Sequence, residues 1–231
     1  MREIIFDTET TGFDPRKGDR MVEIGCIEMI NKVATGRTFH AYFNPERAMP
    51  VDAERIHGLS DAFLADKPLF AHSMADLLEF LGDDPLVAHN AAFDFNFLNA
   101  EIGLCGGVAV CTSRMIDTVA IAKKRHPGAK LSLDALCSRY GIDRSHRTLH
   151  GALLDAELLA QVYVELSGGR QIGLELAADT TAQGEMECEH LIVTRPAGRP
   201  VRPPRPHMAS AAELAAHAAF LDSIDNALWR A

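Results

Sequence analysis

Three short segments carry residues whose types and spacing could do chemistry. The first is Asp7-Thr8-Glu9-Thr10-Thr11-Gly12. Side chains two apart on a strand share a face, so Asp7 and Glu9 project together from the end of an apolar strand. Two neighbouring carboxylates repel unless a cation lies between them, and a hard cation such as Mg²⁺ prefers oxygen ligands. Gly12 lets the backbone turn and come close to a ligand. Taken alone, the pattern also fits a solvated acidic strand end. The second segment, His89-Asn90-Ala91-Ala92-Phe93-Asp94, lies between an apolar strand and a helix, a place where sheet proteins gather ligands. Asp94 falls in the first helical turn, where a carboxylate also simply complements the helix dipole. Asn90 reads as the helix cap and His89 as a core histidine. The third is His150-Gly151-Ala152-Leu153-Leu154-Asp155. Asp155 falls inside a helix whose buried side is marked by Leu154 and Leu158, and His150 precedes it in a loop. A loop histidine beside a helical carboxylate suits a general base next to a metal ligand.

The elements that must position these residues follow from periodicity. Glu3 to Thr8, Met21 to Met29 and Phe39 to Phe43 read as strands with turn-rich connections, which predicts an antiparallel meander. Ser73 to Leu81 has apolar residues at helical spacing and is stopped by Gly82. A short strand at Leu86 to Ala88 precedes a helix from about Ala92 to Leu104. A strand near Val108 to Cys111 is followed by helices around Ile116 to Lys124, Ser132 to Tyr140 and Gly151 to Leu166. Strand–helix–strand units add parallel strands to the meander, so the expected fold is α/β: a mixed five-stranded sheet flanked by helices.

The 231 residues suffice for one sizeable domain of about 150 residues plus extra segments. A net charge of −9 argues against a protein that coats duplex DNA by neutralising many phosphates. It does not argue against a nuclease whose phosphate contacts run through metal ions. No apolar run reaches the ~20 residues of a membrane span, and the N-terminus lacks a secretion signal, so the expected location is cytoplasmic. Five cysteines without a CxxC pair predict reduced, mostly buried thiols. After Leu166 the composition changes. Ser167-Gly168-Gly169 ends the helix, and Arg195 to Pro206 places four arginines among five prolines, an extended tether. Ser210 to Trp229 reads as an amphipathic helix opened by a Ser210–Glu213 capping box, marginal alone and suited to docking on a partner. The expected organisation is 1–168 as the folded domain, 169–209 as linker and 210–231 as docking helix.

Taken together and in order, DTETTG, HNAAFD and HGALLD resemble the DEDDh class of 3′-to-5′ exonucleases, which have a ribonuclease-H-like fold. VEIGCIEM, IHGLSDAFLADKPLF, LSLDALCSRYGID and RTLHGALLDAELLAQVY resemble the epsilon, or proofreading, family of bacterial replicative polymerase subunits, over roughly Met1 to Leu176. The resemblance implies that Asp7, Glu9, Asp94 and Asp155 hold two divalent ions, Mg²⁺ or Mn²⁺, and that His150 takes the proton of the attacking water. It implies release of 5′-nucleoside monophosphates from a single-stranded or frayed DNA 3′ end. Thr10, Thr11 and Gly12 would line the terminal nucleotide, together with Asp7, Glu9 and Asp155. His57 and Asp52 would lie near its sugar or base. Phe93 reads either as a stacking residue or as a core aromatic. Gln171-Ile172-Gly173-Leu174-Glu175-Leu176 resembles a sliding-clamp peptide, with Gln171, Leu174 and Leu176 as the contacts. The terminal helix would then bind the polymerase catalytic (alpha) subunit, and the family can also bind a small theta-like accessory subunit. Two other readings stay open on these residues: a stand-alone DEDDh exoribonuclease with the same catalytic set, and a non-catalytic adaptor between clamp and polymerase.

Overall fold

Strand β1 (Arg2–Thr10) is the spine of the molecule because it pairs on both sides. In this computed structural model, which describes residues 1–145, 147, 149–169 and 209–223, it runs antiparallel to β2 (Met21–Ile30) and parallel to β4 (Leu86–Ala88). Asn31 and Lys32 both take left-handed backbone, φ 51° and 66°. This two-residue turn matches the twist of a hairpin, and β3 (Val33–Tyr42) begins at once. β5 (Met115–Asp117) pairs in parallel with β4, giving the order β3-β2-β1-β4-β5. The expected mixed sheet is therefore present, with three antiparallel and two parallel-added strands.

The alternation of β1 sorts the helices onto two faces. Ile4 and Phe6 are fully buried against α3 (Phe70–Leu81) and α4 (Ala91–Leu104) through Leu77, Leu81, Phe95 and Leu98. Ile5 is buried on the other face with Val87 and with Ala156, Leu159 and Tyr163 of α7 (Ala152–Leu166). Each such side chain contributes roughly 1.5–3 kcal/mol of apolar burial. α5 (Thr118–Arg125) and α6 (Leu133–Tyr140) pack under α7 through Ala122, Leu136 and Leu158. Two close approaches then fix the end of β1. Gly25 stands opposite Asp7, and a Cβ there would collide with the backbone of Ala152 and Leu153, so this glycine lets the first turn of α7 touch the sheet. Arg20 donates to both carboxylate oxygens of buried Glu101 at 2.8 and 2.9 Å, which clamps the start of β2 to α4.

The structure departs from the sequence pattern in identifiable places. The strand expected at Val108 to Cys111 does not join the sheet; Val110 bonds instead to the Asn99 side chain through both its N–H and its carbonyl. The edge strand is Met115–Asp117, so Ile116 belongs to it and not to the following helix. β3 is longer than Phe39 to Phe43 because its first residues are exposed and carry no apolar alternation. Two short helices, α1 (Val51–His57) and α2 (Asp61–Leu64), fall between β3 and α3 where none was expected.

The chain divides into two units, Met1–Ala177 and Ala178–Ala231. In the second, α8 (Ala211–Asp222) opens with the expected capping box: Ser210 accepts from the Glu213 N–H and Glu213 accepts from the Ser210 N–H. Leu221 is buried and Leu214 exposed. The helix expected to reach Trp229 leaves the described residues after Ser223, and the linker with Gln171, Leu174 and Leu176 lies outside them as well. Cys26, Cys105, Cys111 and Cys137 are free; Cys26 and Cys137 are buried, and Cys111 is exposed. Among the described residues no helix is long and apolar enough to cross a membrane.

Candidate active site

β1 runs on past the end of its parallel neighbour β4, and the cleft beside that extension, about 270 Å³, is lined by residues that include Asp7, Glu9, His89, Phe93, Asp94, His150 and Asp155. Each comes from a different local solution. Asp7 and Glu9 face α7 because β1 keeps strict alternation as far as Glu9; the register shifts only after that residue. Asp94 sits in the first turn of α4 and is buried, and its carboxylate accepts from the Thr8 hydroxyl at 2.7 Å. Asp155 occupies the first turn of α7, held against the sheet by the approach at Gly25. His150 is half-exposed on the loop before α7, tied down by a backbone hydrogen bond from its N–H to the Ile56 carbonyl at 3.2 Å.

Crowding and burial make a carboxylate resist ionisation, and Asp7, Glu9 and Asp94 do so. Burial and then the Asp94, Glu9 and Asp155 charges hold Asp7 well above the usual carboxylate range. Burial, then Asp155 and Glu23, push Glu9 up to about 8. Burial pushes Asp94 to about 7 against the opposing hydrogen bond from Thr8. Glu23 contributes because it lies directly across the strand pair from Glu9; His40 Nε2 holds its buried carboxylate at 2.7 Å.

This donor set fits divalent cations. Ligand atoms of Glu9, His150 and Asp155 lie within 4.8 Å of one another. Asp155 Oδ1 is buried without a hydrogen bond in good geometry, although a cation, the Arg147 guanidinium, stands 2.5 Å from it. Oxygen donors this crowded, one of them paired with a guanidinium, suit a cation.

The remaining predicted residues are placed as follows. Thr10 and Thr11 are buried, and their hydroxyls shape the turn: Thr10 donates to the Gly12 carbonyl, and Thr11 accepts from the Arg20 N–H. Gly12 has no room for a Cβ, which would overlap the Asp19 carboxylate. His57 is buried at the end of α1; its Nδ1 accepts from the Leu59 N–H, its Nε2 has no hydrogen bond, and burial lowers its pKa. Asp52 is exposed and pairs with Arg55 at 3.2 Å, outside the cleft. Phe93 is partly buried at the cleft wall against Phe97. Asn90 does occupy the cap position of α4, but its left-handed backbone leaves its side chain without a capping bond. His89, expected as a core histidine, bonds the Thr118 hydroxyl but is only partly buried and stands on the cleft wall. Thr8, Asp134 and Arg147 were missed. Thr8 hid between the two carboxylates on the opposite face, and Arg147 stood three residues before His150 in a loop with no period to read.

The family model described as Exonuclease matches residues 4–163. The subunit epsilon of DNA polymerase III from Rickettsia felis is 55% identical over 179 residues, covering 76% of this chain and 78% of that protein. Its counterpart from Salmonella typhimurium is 42% identical over 243 residues, covering 100% of this chain and 98% of that one. Among solved structures, the nuclease domain of 3′hExo, a DEDDh family member bound to rAMP, superposes with a TM-score of 0.63 at 17% identity, covering 72% of this chain and 92% of that one. That likeness speaks to the fold. Full-length identity to the epsilon subunit, on a ribonuclease-H-like sheet with its acidic cleft at the strand ends, places this chain in the DNA polymerase III subunit epsilon family of 3′–5′ exonucleases.

Proposed function

We propose that this chain proofreads for a replicative polymerase, removing mispaired 3′-terminal nucleotides from DNA as 5′-monophosphates, with Asp7, Glu9, Asp94 and Asp155 holding two Mg²⁺ or Mn²⁺ ions. The observation that carries the reading is the convergence of those four carboxylates and His150 in one cleft. When bound, such cations neutralise phosphate charge and make water a stronger acid. The chain's own residues do the rest. Asp7 and Glu9 leave from a central strand and Asp94 and Asp155 from first helical turns, so the ligand set is rigid. His150, half-exposed at the rim, accepts the proton of the attacking water at a ring nitrogen, a role typically worth 10²–10⁴ in rate. Phe93 lines the cleft and would face a terminal nucleotide; the Thr10-Thr11-Gly12 turn and His57 are not among the residues that line it and would approach the nucleotide only once it is bound. A cleft this narrow admits a single strand, and a mispaired end frays into it at lower cost.

The clamp peptide at 171–176, the polymerase-docking helix at 210–231 and a theta-like partner belong to the same reading, as does a cytoplasmic location beside the replication machinery. The test uses 5′-labelled 3′-mispaired primer–template and free primer, in DNA and RNA forms, with Mg²⁺. Stepwise DNA shortening that EDTA and Asp7→Ala both abolish supports it. Shortening of RNA alone promotes the exoribonuclease, and no shortening promotes the adaptor.

A further inference from the structure

One guanidinium holds three groups of the cleft at once. Arg147 Nε lies 2.5 Å from Asp155 Oδ1, and its Nη2 donates to Asp155 Oδ2 at 2.7 Å. The same Nη2 lies 2.7 Å from His150 Nδ1, where an arginine can only donate. Its Nη1 donates to Asp134 Oδ1 at 2.7 Å. Arg147 is itself largely buried, its side chain 9% exposed, whereas the Asp134 side chain is 48% exposed and also pairs with Arg144. So the arginine hydrogen-bonds one oxygen of the Asp155 carboxylate, stands as an ion pair against the other and takes the lone pair of His150, while keeping one arm on a carboxylate at the solvent edge.

We propose that Arg147 is the internal counter-cation of the cleft, a positioning residue that holds Asp155 and His150 until divalent ions displace it onto Asp134. The inference rests on the reading of Asp7, Glu9, Asp94 and Asp155 as metal ligands. A divalent cation on Asp155 and a guanidinium 2.5 Å from the same carboxylate repel each other, so metal binding there drives Arg147 off it. Displacement frees the His150 lone pair in the same movement, so the base becomes available only in the loaded cleft. Asp134 sets the ease of release, because it remains bonded to the arginine outside the ligand set.

The test is Mn²⁺ titration of the full-length protein by calorimetry, for the wild type, Arg147→Gln, Arg147→Lys, Asp134→Asn and Asp155→Asn. Arg147→Gln removes the competing charge and should bind Mn²⁺ about tenfold tighter, while its metal-free form melts at a lower temperature. Arg147→Lys restores the charge without the planar fork and should fall between Gln and wild type. Asp134→Asn removes the release position and should weaken binding severalfold. A purely structural role for Arg147 predicts weaker binding on its removal. Equal or weaker Mn²⁺ affinity in Arg147→Gln would overturn the proposal while leaving the metal site intact. Should Arg147→Gln fail to fold, unchanged affinity in Asp134→Asn and Arg147→Lys overturns it equally. If the wild type binds Mn²⁺ no better than Asp155→Asn, the reading of the metal site fails, and this inference with it.

Discussion

Burial and the neighbouring charges raise Glu9 to about 8 and burial raises Asp94 to about 7, so both hold a proton more tightly near neutral pH than free carboxylates do. Both must be ionised to serve as ligands. Metal binding at pH 7 should therefore release protons, and apparent affinity should climb with pH and level off above about 8. Calorimetry in buffers of different ionisation enthalpy measures the number released; no buffer dependence would contradict the assignment of Glu9 as a ligand. The same shifts set the stability of the metal-free protein. Raised folded-state values stabilise below the unfolded carboxylate range, and that contribution is lost as pH rises through 7–8. The metal-free melting temperature should fall between pH 5 and 8, and saturating Mg²⁺ should abolish the fall. His150→Gln tests the base separately: turnover should drop by about 10²–10⁴. Single-turnover rates beside Mn²⁺ titrations distinguish a lost base from a lost ligand.

Gly25 shows how elements, more than single ligands, decide the geometry. Gly25→Ala places a methyl against the α7 backbone at Ala152 and Leu153, which cannot rotate away. Overpacking of this kind costs about 1–3 kcal/mol. The helix that carries Asp155 must shift, and displacements near 1 Å can cost about 10² in rate. Gly36→Ala is the contrast, because its φ of 86° is unfavourable but its surroundings are open. It should lower the melting temperature without changing turnover; equal losses of turnover in both would mean α7 is not positioned at Gly25. α3, α4 and α6 were legible because each buries one periodic apolar face, and β1, β2 and α7 because they are near-continuous apolar runs, buried on both faces in the strands and nearly all round in α7. β3 escaped in part because an edge strand facing water needs no alternation. β5 was displaced in the reading because Val108 to Cys111 looks strand-like, yet Asn99 supplies its hydrogen bonds. The four carboxylates and His150 that converge on the cleft were legible as spaced motifs, whereas Arg147 and Asp134 act only through tertiary contact and leave no spacing to recognise.

At the scale of the whole chain, the proposed catalysis and the proposed delivery fall on different segments. Each apolar cluster among the described residues is drawn from residues 4–166, inside the unit Met1–Ala177. Nothing in those clusters comes from the tail, so a chain ending at residue 177 should fold and keep its metal site. With a net charge of −9 the full protein holds few phosphates electrostatically, and its DNA affinity alone should be weak with a shallow salt slope. On the proposed function, a tether to a polymerase would replace that missing affinity with effective concentration, roughly mM for a short flexible linker. The two effects are separable by comparing the full chain with 1–177 on a short single-stranded oligonucleotide and on a mispaired primer–template, each with and without the polymerase catalytic subunit. Without the subunit, both proteins should shorten the oligonucleotide at rates within about twofold, since diffusion alone brings the substrate. With it, the full chain should accelerate on the mispaired primer by one to two orders of magnitude, the scale that tethering permits, and 1–177 should not. Equal acceleration of the truncated chain would move the docking surface from the tail onto the exonuclease unit itself.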